Sequence, residues 1–223
     1  MPKRDDGLYL KWCLVLFVTT VVVVQARPPL ALIVLGGANY NAGGVPPDWQ
    51  LREHSGKAEI AGCVENEGPC VRLTSRNSSF SLEHSVEVNP SELPYLSWSW
   101  KVTRLPVGGD FRKTSTDDQA AQVLVAFSDR RVLSYIWDSN APKGAMQNAK
   151  TVPLIHVVAV VCESGPAEMN RWVREIRNVA ADYERAFGKP APRIKGLRLQ
   201  INTQHTGAAE SYFGQVAFGA TLE

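Results

Sequence analysis

The chain has 223 residues, an apolar share of 44% and a formal net charge of +2. That apolar content supports a real core and excludes a wholly disordered chain, and the length fits one large β domain or two small ones. Charges of both signs are spread along the sequence without a basic block, which argues against nucleic acid or an anionic membrane surface as the main partner.

Lys3, Arg4 and Lys11 precede an apolar run from Trp12 to Val24, and Val24-Gln25-Ala26 leads into Arg27-Pro28-Pro29. A basic start, an apolar middle and a small residue at the exit predict a secretory signal over residues 1–26, cleaved after Ala26. An uncleaved membrane anchor is the alternative, although the run is short of the ~20 apolar residues a spanning helix needs. Either way the protein is expected to be exported, to the periplasm or beyond, touching the membrane only through this segment. Residues 27–47, with an apolar patch from Leu30 to Ala38 and the Gly/Pro-rich Asn39 to Pro47, read as a linker. The folded domain is expected over 48–223.

From Trp49 onward short strand-like runs follow one another. Trp49–Glu53 comes first. Lys57–Val64 and Cys70–Ser75 form a hairpin with Cys63 and Cys70 at its end. Two readings of that pair stay open: a disulfide, which an exported compartment permits, or two small apolar strand residues. Ser79–Val88 places Phe80, Leu82, His84, Val86 and Val88 on one face. Tyr95–Val102, YLSWSWKV, alternates strictly, with Leu96, Trp98, Trp100 and Val102 on one side. Gln119–Ser128 turns back at Asp129-Arg130-Arg131 into Leu133–Asp138. Leu154–Cys162 is almost continuously apolar, as in a strand buried on both faces. After a polar strand, Arg171–Arg177, the period changes: Asn178–Phe187 reads as a short helix with Asn178 as its cap and Gly188 as its stop. Arg193–Asn202 puts Leu197, Leu199 and Ile201 inward and Arg198, Gln200 and Asn202 outward. Ser211–Gly219 is read with Tyr212, Val216 and Phe218 on one side. About ten strands and one helix near the C-terminus predict an all-β fold, a β-sandwich or jelly roll.

Several stretches together, Pro94-Tyr95-Leu96-Ser97-Trp98-Ser99-Trp100-Lys101-Val102, Asp117-Asp118-Gln119-Ala120-Ala121, Tyr135-Ile136-Trp137-Asp138-Ser139-Asn140, Arg177-Asn178-Val179 with Asp182-Tyr183, and Glu210-Ser211-Tyr212-Phe213-Gly214, resemble the exported bacterial domain family DUF3047. The resemblance covers Pro47-Asp48-Trp49 to the end. It implies an exported sandwich similar to galactose-binding-like and concanavalin-like domains, and brings no established activity and no catalytic residue. Many members carry an Asp-rich segment where this chain has Asn202-Thr203-Gln204-His205-Thr206-Gly207.

Chemistry is expected at the strand ends. Asp117 and Asp118 could hold calcium, the one cofactor the sequence suggests, or with Gln119 accept sugar hydroxyls; as adjacent turn residues they equally suit a loop that bonds its own backbone. Trp137 beside Asp138 and Asn140 offers an apolar platform with polar groups, the make-up of a sugar site, against the reading of a core tryptophan followed by a turn. Gln204 and His205 form the remaining polar cluster. With Tyr212 as proton carrier and Arg112 facing a carboxylate, His205 could act as a general base in a polysaccharide lyase, against the reading of a plain polar loop between the last two strands. The leading expectation is a ligand-binding module for a glycan or other small polar ligand. The enzyme, and a structural module of the envelope, are the alternatives.

Overall fold

A computed structural model describes residues 31–36, 44–149, 154–205 and 207–222. The expected signal segment, Cys13 and most of the Gly/Pro-rich stretch lie outside these. The strands are β1 (Ala31–Leu35), β2 (Gln50–Ser55), β3 (Glu59–Glu65), β4 (Gly68–Arg76), β5 (Ser79–Val88), β6 (Tyr95–Arg104), β7 (Gln119–Phe127), β8 (Arg131–Asp138), β9 (Met146–Asn148), β10 (His156–Ser164), β11 (Val173–Asn178), β12 (Ile194–Asn202) and β13 (Ala208–Gly219), with one helix, α1 (Val179–Phe187), before β12. They form two packed sheets: a smaller one ordered β11-β6-β13-β4-β3 with β1 on β13, and a larger one ordered β2-β5-β12-β7-β8-β10-β9. The fold is the all-β sandwich that the strand pattern predicts.

The core is organised on YLSWSWKV. Leu96, Trp98, Trp100 and Val102 are buried, while Ser97, Ser99 and Lys101 between them are half-exposed. Trp98 meets Tyr135 of β8 at 5.2 Å between ring centroids and Trp100 meets Trp137 at 5.8 Å, so an aromatic stack joins the two sheets. Such tilted pairs add to the large apolar area each ring removes from water. β10 is buried on both faces for a visible reason. Val158, Val160 and Cys162 enter the main core, while Ala159 and Val161 pack under Phe111, Ile136 and Ala141 on the far side.

The helix is tied down by its own first turn. Asn178 caps it by accepting from the Ala181 amide, and Gly188 ends it in the left-handed conformation at φ 69°. The buried Asp182 carboxylate accepts two hydrogen bonds from Arg177, both at 2.8 Å, and a third from the Tyr135 hydroxyl at 3.0 Å. Tyr183 donates to Asp129 at 2.5 Å. The Arg177-Asn178-Val179/Asp182-Tyr183 pattern is therefore a device for seating the helix on the sandwich.

Three features depart from expectation. Ala31–Leu35, within the stretch read as a linker, is a strand: it takes the edge of β13 from Val216 to Gly219, beyond the part that β4 covers. Met146–Asn148 adds a short edge strand on β10. In β13, Ser211 and Phe213 face the core with Val216 and Phe218, and Tyr212 faces outward. The cause is a bulge. Phe213 pairs with Trp100 and Val216 with Trp98, so β13 advances three residues against two and the inward phase flips.

Candidate functional site

The polar segments at the ends of β7, β8 and β12 do come together at one end of the larger sheet, but mainly to bind one another. Asp118 is fully buried. One carboxylate oxygen accepts the His205 amide at 2.8 Å and the other lies 3.1 Å from His205 Nδ1. Asp117 accepts from the Gln119 amide at 2.8 Å, and its carbonyl accepts from Asn202 at 2.7 Å. Burial, with the Asp118 and Asp138 charges added, raises the Asp117 carboxyl above the ordinary range. The two acids thus turn to different partners. Among the described residues no group of three or more His, Cys, Asp or Glu side chains could hold a metal ion.

The Trp137–Asn140 stretch is likewise structural, which corrects its reading as a sugar platform. Trp137 is completely buried, donates to the Gly165 carbonyl at 3.1 Å and packs on Trp100. Asp138 is buried and accepts the backbone N–H groups of Phe111, Asn140 and Ala141 at 3.0, 2.9 and 2.7 Å. Burial raises its carboxyl against the pull of those donors. Asn140 donates to the Gly109 carbonyl at 3.0 Å, so the segment stitches the loop before β7 to the end of β8. Arg112 forms a two-point ion pair with Asp110 at 2.7 and 2.9 Å, which holds that carboxyl down at about 2. Gln204 and His205 are exposed in the turn after β12.

The lyase grouping does not assemble. His205 is bound to Asp118, whereas Tyr212 lies on the outer face of the smaller sheet, donating to Glu210 at 3.1 Å with the Lys101 ammonium 4.3 Å from its ring centroid. Tyr212 itself lies four residues into β13, about 14 Å along the strand from its start at Ala208. Cys63 and Cys70 sit directly opposite in the β3/β4 ladder, Cα atoms 4.9 Å apart, and are bonded.

A groove on the outer face of the larger sheet is a candidate site that strand-end reasoning misses. Its cavity is about 760 Å³. Cross-strand register builds it row by row. Ser85, Gly196, Ala126 and Val132 lie side by side on β5, β12, β7 and β8. These short side chains leave depth where longer ones would fill it. The next row is Glu83, Arg198, Leu124 and Ser134. Ile155 and Val157 close one side and Asp48–Gln50 the other, where Trp49 is stacked on His84 with ring centroids 5.2 Å apart. Glu83 is held from both sides, Arg198 at 2.7 Å on one oxygen and Arg52 at 3.2 Å on the other. The third row, Ser81, Gln200 and Gln122, lies beyond the cavity and is largely covered: Ser81 and Gln122 are buried, with His54 2.9 Å from the Ser81 hydroxyl. The outward alternation of Arg198, Gln200 and Asn202 is the sequence signal for this face. The groove itself needs neighbours about 70 and 110 residues away, which no local pattern reveals.

The fold and groove define a two-sheet β-sandwich with an open, mixed polar and apolar trough. The chain belongs to the family described as "Protein of unknown function (DUF3047)", whose model matches residues 48–217. No curated protein matches the sequence. Among solved structures, the xyloglucanase domain of NopAA, a type three effector from Sinorhizobium fredii solved with cellobiose, superposes with a TM-score of 0.48 at 9% identity, covering 78% of this chain and 95% of that one. The family 11 carbohydrate-binding module of the cellulase Lic26A-Cel5E of Clostridium thermocellum gives 0.46 at 8% identity over 89% and 98% of the two chains. Endoglucanase cel12A from Rhodothermus marinus gives 0.45 at 12% identity over 85% and 99%.

Proposed function

We propose that the protein is an exported, non-catalytic binding module whose ligand, a cell-envelope glycan, lies in the groove across the larger sheet. The observation that carries this reading is the composition of the groove. An aliphatic floor of Leu124, Ala126, Val132 and Val157 suits the C–H face of a sugar ring, and Arg198, Glu83 and Gln50 along it suit the hydroxyls. The trough is open, as a polymer passing through it requires. Glu83 has both oxygens engaged by arginines, which fixes these polar groups in place along the floor.

Isothermal titration of the purified protein against a panel of envelope polysaccharides and their oligosaccharides tests this. Binding of one class is expected, and it should be lost in Ala126→Trp, where an indole fills the floor. Absence of binding to every glycan by the folded protein, or unchanged binding in Ala126→Trp, would contradict the proposal.

A further inference from the structure

The outer face of the smaller sheet carries a second set of groups that the core and the groove leave unused. They come from the outward side of YLSWSWKV, the bulge of β13, the β3–β4 hairpin and the start of β11 with Trp172 before it. Trp172 lies over Gly214, where a side-chain carbon would sit 3.4 Å from the indole, in van der Waals contact with it. The indole N–H donates to Glu65 at 3.1 Å, and Lys101 pairs with the same carboxylate with its ammonium 5.5 Å from the ring centroid. The ring is therefore held in one orientation while its surface stays partly open.

Beside it is a hollow of about 200 Å³, lined also by Pro69 at the start of β4 and by Ser99 and Gly214. Four polar side chains edge this hollow: Ser99, Arg174, Gln215 and Glu67. None of the four has a side-chain hydrogen bond or ion pair among the described residues. A fixed aromatic wall, a proline ring and uncommitted donors and acceptors of both kinds are what a single sugar ring needs. Its C–H face covers the indole and its hydroxyls reach the rim. The volume holds one ring and no oligosaccharide, and the rim pairs one cation with one anion, which favours a neutral sugar over a uronate or an amine.

We infer that this hollow is a binding site for a single neutral hexopyranose unit, stacked on Trp172 and hydrogen-bonded by Arg174, Glu67, Gln215 and Ser99. It lies on the opposite face of the sandwich from the groove and stands whether or not the groove binds glycan.

The test is a titration of the whole folded protein with glucose, galactose, mannose and N-acetylglucosamine, followed by the NMR signals of the Trp172 indole N–H and the Gln215 side-chain amide. At least one sugar is expected to shift both signals saturably. Arg174→Ala, an exposed change that leaves the core untouched, should weaken that binding about tenfold, a loss of 1.4 kcal/mol. Trp172→Ala, read at Gln215, should weaken it at least as much, and Ala126→Trp in the groove should leave it unaltered. Absence of a saturable shift with all four sugars, or an unchanged response in both Arg174→Ala and Trp172→Ala, would overturn the assignment.

Discussion

Replacing Asp182 by alanine should destabilise the protein far more than removing one of its exposed partners. The carboxylate is 7% exposed and receives Arg177, itself 27% exposed, at two points, together with the hydroxyl of the fully buried Tyr135. Arg185 approaches the same carboxylate at 2.6 Å but from solvent, with 60% of its side chain exposed. Deleting the shared acid leaves a part-buried guanidinium without its counter-charge and a buried hydroxyl without its acceptor, a combination that costs about 3–5 kcal/mol. Arg185→Ala removes only a screened surface pair and should cost less than about 1 kcal/mol. In thermal unfolding of a domain this size, Asp182→Ala should lower Tm by on the order of 10 °C, with Arg185→Ala within a few degrees of wild type. Urea titration gives the same comparison as free energies. A loss below about 1 kcal/mol for Asp182→Ala, or equal losses for the two variants, would refute the view that Asp182 seats the helix.

Stability should also depend on pH through Glu175. Burial, then the charge and hydrogen bonding of Glu163, raise its carboxyl to about 7, with Lys143 and Arg177 acting in the opposite direction. The folded state then holds a proton that the unfolded chain has released, so the Glu175 contribution is complete below the ordinary glutamate range and is lost as pH rises through about 7. Denaturation midpoints measured from pH 4.5 upward should fall over that window in wild type and much less in Glu175→Gln. The Cys63–Cys70 bond closes a short loop, so Cys63→Ser with Cys70→Ser should cost about 2–3 kcal/mol, readable as a drop in the urea midpoint that reductant reproduces in the wild type. Trp137→Ala should cost about 3–5 kcal/mol from the loss of a buried indole. Its glycan affinity, measured where the protein is still folded, should stay close to wild type; a selective loss of binding would restore Trp137 to the site.

The sandwich is legible in the sequence because each half of it alternates locally. Leu96, Trp98, Trp100 and Val102 reach the core where the two-residue period puts them, and Asn178 and Gly188 bound the helix. β13 shows the limit of such reading. Its alternation is continuous in sequence, but one extra residue opposite Trp98 and Trp100 turns Tyr212 out and Phe213 in, and only the partner strand defines that bulge. Polar clusters at strand ends mislead for a related reason. Asp118, Asp138 and Asn140 are the residue types that bind ligands, and equally those that satisfy loop backbone. Their partners, His205, Phe111 and Gly109, are set by tertiary packing. The groove escapes notice because Ser85, Gly196 and Ala126 are unremarkable singly and matter only as neighbours on adjacent strands.

The most direct test of the groove as the glycan site is to follow the methyl NMR signals of Leu124, Ala126, Val132 and Val157 while adding the oligosaccharide that binds best by calorimetry. These methyls line one floor, so a bound chain should shift them together, with a single saturation curve matching the calorimetric affinity. Saturable binding that leaves the methyls of all four residues unmoved would place the glycan elsewhere and contradict the account.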